Sequence, residues 1–316
     1  MKRINILFLG GAKRVSLAER FIRAGRKNNA EVRIFSYELQ EKVPIACLAR
    51  VIVGLKWKDK QILEHLGQVI AENQIDIVLP FVDPAIEICS RLKQQTDKSV
   101  YIPVSNEALC QTMFEKKQAA AWFSERGFPI PETYSLHNIK FPAILKPNTG
   151  SAAKGLIVVH DNSELNNISR PEDYLIQEYI GDNTEYTVDA FVSEKREIMA
   201  AVPRIRLETA GGESVRSVTI RENEIIELSH KILQSDEFYG PITIQFIRDN
   251  RKHKLYVMEI NPRLGGGVVL SIEAGADICE MIIGEHLGLH LEKCTNWTSG
   301  LLMTRYFKEV FYADNH

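Results

Sequence analysis

The sequence predicts an α/β fold in two parts: a parallel, doubly wound sheet over roughly residues 1–105, followed by a unit of mixed strands and helices. Three observations predict it. Short apolar runs alternate with amphipathic helical patterns through the first third of the chain, the pattern of β-α-β units. After the proline-rich joint Gly127-Phe-Pro-Ile-Pro131 the pattern changes to strand, small-residue loop, strand. Near the end, Leu255-Tyr-Val-Met-Glu-Ile-Asn-Pro-Arg-Leu-Gly-Gly-Gly267 reads as a strand entering a glycine-rich loop.

Ile4–Leu9 is the first buried strand, followed by Gly10-Gly11 and a helical pattern from Val15 to about Gly25. Strands follow at Glu31–Ser36, Val51–Val53, Ile75–Pro80 and Val100–Pro103, with helices over Ile62–Ile70 and from Asp83. The full G-x-G-x-x-G fingerprint is absent, so Gly10-Gly11 reads as a tight turn whose amides could still receive a substrate anion beside Lys13 and Arg14. Asp83, at the strand edge where open α/β sheets bind ligands, reads as the N-cap of its helix. One amphipathic helix is expected over Glu107–Arg126.

The second part opens with a strand, Phe141–Lys146, that ends in a lysine. Asn148-Thr-Gly-Ser-Ala-Ala-Lys-Gly155 then joins it to a strand at Leu156–His160. This loop is either a plain hairpin tip or a lid whose backbone amides cover phosphates; it is not a Walker loop, since its second flank is a strand. Tyr174–Ile180 carries Glu178, and Gly181-Asp-Asn-Thr-Glu185 precedes the strand Tyr186–Val192; the two acids are positioned to clamp an adenine and its ribose or simply to flank two strands joined by a turn. Arg204, Arg206 and Arg216 surround Ala210-Gly-Gly-Glu-Ser214 and read as an anion-receiving loop or as solvated surface. Helices are expected near Ile225–Leu233 and Ile272–Leu287, with a closing strand at Thr304–Lys308.

Alternation along Leu255–Asn261 puts Tyr256, Met258 and Ile260 on one face and Glu259 and Asn261 on the other. Ile242–Ile247 pairs with it if the hairpin is centred on Lys252, setting Gln245 opposite Glu259. Three oxygen donors then converge, a set suited to Mg²⁺ that keeps waters and shares substrate phosphates. The alternative is an edge hairpin with polar residues facing water. Pro262 ends the ladder because it lacks an N–H, and Arg263 leaves as a cation beside the oxygens.

A chain of 316 residues with 45% apolar and 25% charged residues has room for two to three domains of ordinary soluble type. Its formal net charge of −2 provides no field for nucleic acid or anionic membrane. No apolar run approaches the roughly 18 residues of a membrane span, and the start lacks a signal-peptide cleavage pattern. Five scattered cysteines predict reduced thiols in a cytoplasm.

Taken in order, the lysine strand, the small-residue hairpin, Gln177-Glu-Tyr-Ile180, Glu185, Gln245 and Glu259-Ile-Asn-Pro-Arg263 resemble the ATP-grasp superfamily. The likeness is nearest to one synthetase unit of the carbamoyl-phosphate synthetase large subunit and to carboxylate–amine ligases. It implies a Rossmann-like pre-ATP-grasp domain at 1–106 and a two-subdomain α+β ATP-grasp domain at 107–316. The lid subdomain would span about 130–180 and the C-terminal subdomain about 181–308. It also implies ATP and Mg²⁺ (Mn²⁺ as a substitute) and an acyl phosphate attacked by an amine. By resemblance Lys116 and Lys146 meet the phosphates under a lid running from Gly150 and Ser151 to Gly155. Glu178 meets the adenine amino group beside Tyr179 and Ile180, and Glu185 the ribose. Gln245, Glu259 and Asn261 hold the metal, Arg263 steadies the transferred phosphoryl group, and Arg204 and Arg206 lie on the substrate side. Position 245 is an amide where many members carry a carboxylate, and the chain has one grasp unit and no glutamine-hydrolysing domain. Small-molecule carboxylate and amine substrates and a homodimer are the partners the resemblance implies. The competing readings are an ATP-binding regulatory or scaffold subunit, a component of a split carbamoyl-phosphate synthetase, and a dehydrogenase using the N-terminal sheet.

Overall fold

The computed structural model describes residues 2–150 and 155–313. The first part comprises β1 (Lys2–Leu9), α1 (Val15–Lys27), β2 (Ala30–Glu38), β3 (Arg50–Val53), α2 (Ile62–Glu72), β4 (Ile77–Pro80) and α3 (Asp83–Gln95). Its strands form a parallel sheet in the order β3-β2-β1-β4. β1 is apolar on both faces because both are covered. Ile4, Ile6 and Phe8 pack under α1, and Leu7 and Leu9 pack against α2 and α3. The expected fifth strand is reduced to one bridge, Tyr101 to Ile77. Pro103 has no N–H to continue a ladder, and its carbonyl lies against Gly240, where a Cβ would sit 2.0 Å away.

α4 (Glu107–Phe114) and α5 (Lys116–Glu125) replace the single helix expected over 107–126. The break is at Glu115, and Asn148 causes it. The Asn148 backbone oxygen accepts from Lys116 N at 2.9 Å, and its side-chain oxygen accepts from Lys117 N at 2.9 Å. These first-turn amides would otherwise lack acceptors.

β5 (Thr133–Tyr134), β6 (Ala143–Pro147), β7 (Ile157–Val159), α6 (Asn162–Asn166) and β8 (Tyr174–Glu178) follow. The strands form a small antiparallel sheet, β5-β8-β6-β7. Ala143, Leu145 and Ile176 fill its own core, so Lys146 and Gln177, one residue out of phase, face the other way.

The largest sheet contains β9 (Asn183–Val192), β10 (Ile198–Ala210), β11 (Glu213–Thr219), β12 (Gly240–Asp249), β13 (Lys254–Asn261) and β14 (Leu302–Thr304), with α7 (Asn223–Gln234) between β11 and β12. Its order is β13-β12-β9-β10-β11-β14, antiparallel throughout. The closing strand thus ends where the sequence had it begin. The helix expected over 272–287 divides into α8 (Val268–Glu273) and α9 (Ile278–His286), separated by Gly275 at φ 116°. One face of this sheet is apolar: Tyr186, Val188, Ala190, Ile242, Ile244, Phe246, Val257 and Ile260 pack against α4, α5 and α7. The opposite face carries the polar residues considered next.

Candidate active site

The polar face is set by register. Gln245 lies opposite Glu259 on one side and Thr187 on the other, and Thr243 lies opposite Asn261 and Asp189. Gln245 Nε2 donates to Glu259 Oε1 at 2.6 Å, and Asn261 Nδ2 donates to the same oxygen at 2.8 Å. The three expected metal ligands therefore meet. Turning either amide about its last bond presents an oxygen in place of the nitrogen, so the cluster can offer one carboxylate and two amide oxygens to a hard cation.

The sequence pattern missed how Glu259 reaches this face. Between Gln245 and Phe246 the register slips, Phe246 pairing with Val257, so Met258 is an extra residue. This β-bulge puts Val257 and Ile260 in one core although they are three residues apart. Tyr256 packs instead with Ile180, Ile247 and Met258. Simple alternation put Ile260 with Tyr256; the bulge separates them.

Two lysines come to the carboxylate from other elements. Lys146 is 8% exposed and donates to Gln177 Oε1 at 2.8 Å. Burial lowers its pKa to about 8, against the attraction of Glu259 and with the repulsion of Lys116. Lys116, first residue of α5, donates to the Gly150 carbonyl at 2.7 Å. A cavity of about 30 Å³ is bordered by Asp83, Lys116, Gly150, Glu259, Asn261 and Pro262. That volume admits about two waters or a small ion. Gly155 holds φ 74° against Pro147, and Ser151 lies outside the described residues.

Arg263 sits beside the triad but is paired: Nε and Nη2 reach Asp83 Oδ1 at 3.0 and 2.8 Å. Asp83 is therefore not an N-cap. Val82 takes that position without a side-chain bond, and the Asp83 carboxylate turns to the guanidinium. Arg206 donates to Gln245 Oε1 at 2.8 Å, reaches Glu185 at 3.3 Å, and holds the Gly212 carbonyl at 3.0 Å. Arg204 departs from expectation. It is 3% exposed, bonded to Asp189 at 2.8 Å and to Ser214 at 3.1 Å, and its guanidinium lies where a Gly267 Cβ would be. Its charge is spent inside the fold, and it presents no free face to a substrate. The same closeness explains the glycine run: Gly265 lies on Thr243 and Asp189, and Gly266 on Glu213.

At the far end of the face, Glu178 pairs with Lys252 from the β12–β13 turn. Ile180 joins the small apolar cluster with Ile247 and Tyr256, and Tyr179 N donates to Pro142 O at 3.3 Å. Glu178 and Ile180 thus line one end and the lysines and the triad the other, with Glu185 joined to Gln245 through Arg206.

The β1–α1 turn does not present its amides. Gly11 and Ala12 hydrogen-bond to the buried Glu38 carboxylate, whose pKa burial raises. A carboxylate already fills the position an anion would need. The acidic residue that ends β2 signalled this in the sequence.

These elements match known proteins. A family model described as "ATP-grasp in the biosynthetic pathway with Ter operon" matches residues 170–308. The biotin carboxylase–β-γ-ATP complex of Campylobacter jejuni superposes with TM-score 0.74 at 16% identity, over 94% of this chain and 74% of that one. The chain has an ATP-grasp fold. N5-carboxyaminoimidazole synthetase of Staphylococcus aureus with ADP gives TM-score 0.73 at 19% identity, over 93% and 80% of the two chains. By sequence, the chain is 28% identical over 250 residues to the carbamoyl phosphate synthase large chain of Clostridium botulinum, 70% of this chain and 22% of that protein. A match to the C-terminal section of that enzyme in Methanopyrus kandleri is 22% identical, over 75% of this chain and 46% of that protein. The chain thus spans under half the length of these curated relatives. The sequence patterns left Glu115, Asn148 and Lys252 without a role. Their partners lie 31 to 74 residues away, and no local pattern encodes such a distance.

Proposed function

We propose that the protein is an ATP- and Mg²⁺-dependent ligase that activates a carboxylate as an acyl phosphate for attack by an amine or similar nucleophile. The observation that carries this is the convergence of Lys146, Lys116 and the Gln245–Glu259–Asn261 cluster, with Arg263 leaving the same strand. The relatives support the class: carbamoyl phosphate synthase, N5-carboxyaminoimidazole synthetase and biotin carboxylase.

The donor set fits Mg²⁺, one carboxylate and two amide oxygens leaving room for phosphate and water. When bound, the ion neutralises charge on the transferring phosphoryl group. Lys146 and Lys116 hold the phosphate oxygens, Glu178 and Glu185 take the base and ribose, and Ile180, Ile247 and Tyr256 flank the base. Arg263, released from Asp83, steadies the phosphoryl group or the new acyl phosphate. Catalysis is positioning and charge complementarity, and no nucleophilic side chain is needed. Arg206 stays on the acceptor side; Arg204 serves the fold.

The division into 1–106 and 107–316 is part of this proposal, supported by the separate sheets. Among the described residues no helix is long and apolar enough to cross a membrane. Free cysteines fit a reducing cytoplasm. A homodimer is proposed too, supported by the biotin carboxylase domain dimer of Hydrogenobacter thermophilus. The test is ADP release with a panel of amino acids and small carboxylates, bicarbonate included. An acceptor that stimulates release, with loss of about 10²-fold or more in Glu259→Gln, is the expected result. Magnesium-dependent ATP binding that no acceptor converts to turnover assigns the chain to regulation or scaffolding instead.

A further inference from the structure

On the other side of the glycine loop from the metal cluster lies a group of cations that the ligase reading does not use. Arg14 follows the β1–α1 turn, Arg305 follows β14, and Lys13 adjoins Arg14. One carboxylate, Glu213, faces all three. Arg14 grips it with both terminal nitrogens, Nη2 to Oε1 at 2.8 Å and Nη1 to Oε2 at 3.1 Å. Arg305 reaches it at 3.9 Å and donates to the Gly266 carbonyl. Lys13 adds its attraction to that carboxylate.

Neighbouring charges do not settle the balance. Arg204 is neutralised by Asp189, and Arg20 shares Glu273 with Arg23. Among the described residues the buried Nε atoms of Arg14 and Arg20 find no acceptor. Burial and the fields of Arg14, Arg204 and Arg20 hold the Arg305 pKa below the usual arginine range, although Glu213 opposes them. Two guanidiniums and an ammonium around one carboxylate leave a positive excess, and with Lys13 exposed and the Arg305 side chain 29% exposed an incoming anion can reach it.

Glu213 is also placed where it can be displaced. It starts β11 just after Gly211 and Gly212, at φ 56° and 80°, and its side chain is 36% exposed. The β10–β11 ladder slips twice between Arg206 and Thr209, so the hairpin tip is irregularly paired. Its carboxylate rests against Gly266, three residues beyond Arg263. Three residues span at most about 11 Å, so the backbone that carries Arg263 lies within that distance of the glycine against which the seat is built.

We propose that the acceptor carries a second anionic group besides the carboxylate that is activated, and that Arg14 and Arg305 bind this group in the seat Glu213 fills here. The acceptor class is then a dicarboxylate or a phosphorylated carboxylate, its second anion gripped by Arg14 as Glu213 now is. Glu213 acts as an internal competitor that keeps the seat neutral until substrate displaces it. This deepens the ligase reading and rests on it for the position of the reacting carboxylate.

The test is calorimetric titration of the full chain, saturated with Mg-ADP, with three probes: succinate, 3-phosphoglycerate and butyrate. At least one of the two-anion probes should bind tenfold or more tighter than butyrate. Glu213→Gln should tighten that probe by about tenfold, a gain that a purely structural ion pair would not produce. Arg14→Gln and Arg305→Gln should each weaken it tenfold or more while Mg-ADP affinity stays within twofold, which also reports an intact fold. Equal affinity for butyrate and both two-anion probes overturns the proposal, as does unchanged or weaker binding in Glu213→Gln. If Mg-ADP itself does not bind, the nucleotide reading fails separately. The same probes against the nucleotide-free chain and Glu213→Gln then decide the anion seat alone.

Discussion

The Arg263 guanidinium and the Asp83 carboxylate, 180 residues apart in sequence, meet at 2.8 Å. One leaves the end of the metal-cluster strand and the other opens the first turn of α3, so this pair joins the N-terminal sheet to the site. Asp83 neutralises the guanidinium, so the role proposed for Arg263 requires it to exchange this carboxylate for a substrate anion. Both side chains are largely buried, 15% and 12% exposed. Asp83→Asn should therefore cost about 1–3 kcal/mol, since it leaves a part-buried charge without its partner. The shift in denaturant midpoint measures this. Arg263→Ala should lose turnover yet keep Mg-ADP binding, and a variant that loses both would move Arg263 into the nucleotide site.

Metal binding should depend on nucleotide. The cluster holds a single carboxylate, Glu259, with two amides, and among the described residues no group of three or more His, Cys, Asp or Glu residues forms a metal site. Neutral amides attract a hard cation weakly, so phosphates must complete the shell. Millimolar Mg²⁺ alone should leave the melting temperature unchanged, whereas Mg-ADP raises it. Gln245→Glu should make Mg²⁺ alone stabilising, because a second carboxylate replaces an amide. A wild-type chain that Mg²⁺ stabilises without nucleotide contradicts this.

Nucleotide binding should take up protons near pH 8. Lys146 has a pKa of about 8 because burial disfavours its charge. Phosphate oxygens favour the charged form and raise that value. Below about pH 7 the lysine is already protonated and no uptake accompanies binding. As pH rises through 8 the free protein loses the proton and the complex regains it, so apparent affinity falls. In the free protein the unfolded lysine has the higher pKa, so its burial penalty is largest below pH 8 and diminishes as pH rises above 8. Calorimetry of Mg-ATP binding in buffers of different ionisation enthalpy at pH 6.5 and 8.5 measures the uptake. Lys146→Met should abolish it.

Asn148 should matter for both stability and phosphate affinity. It accepts from the Lys117 amide and donates to Glu115 at 3.2 Å. It thereby caps α5 and holds Lys116 at the helix start. Asn148→Ala should cost about 1 kcal/mol, the usual loss for a helix cap, and weaken ATP several-fold through Lys116. Chemical denaturation and nucleotide titration of the same variant separate the two effects. An unchanged ATP affinity would show that Lys116 keeps its place without the cap.

What the chain determined alone was everything governed by local period and nearby spacing. The alternation of Ile242–Ile247 and the polar turn 249–253, read as a hairpin centred on Lys252, placed Gln245 opposite Glu259; in the fold the turn pairs Asp249 with Lys254, and the extra residue Met258 restores the Gln245–Glu259 pairing. The Lys146 strand and the α/β order were equally readable. Tertiary structure decided whatever depends on a partner far along the chain. Asp83 looks like a cap until Arg263 arrives, and Arg204 looks like a free cation until Asp189 and Gly267 enclose it. The helix over 107–126 reads as continuous until Asn148 takes its amides. The β13 bulge belongs to the same class. A strand's own sequence fixes the alternation of its faces, but an extra residue is accepted only when both neighbouring sides have packing to satisfy, and that packing exists only in the folded chain.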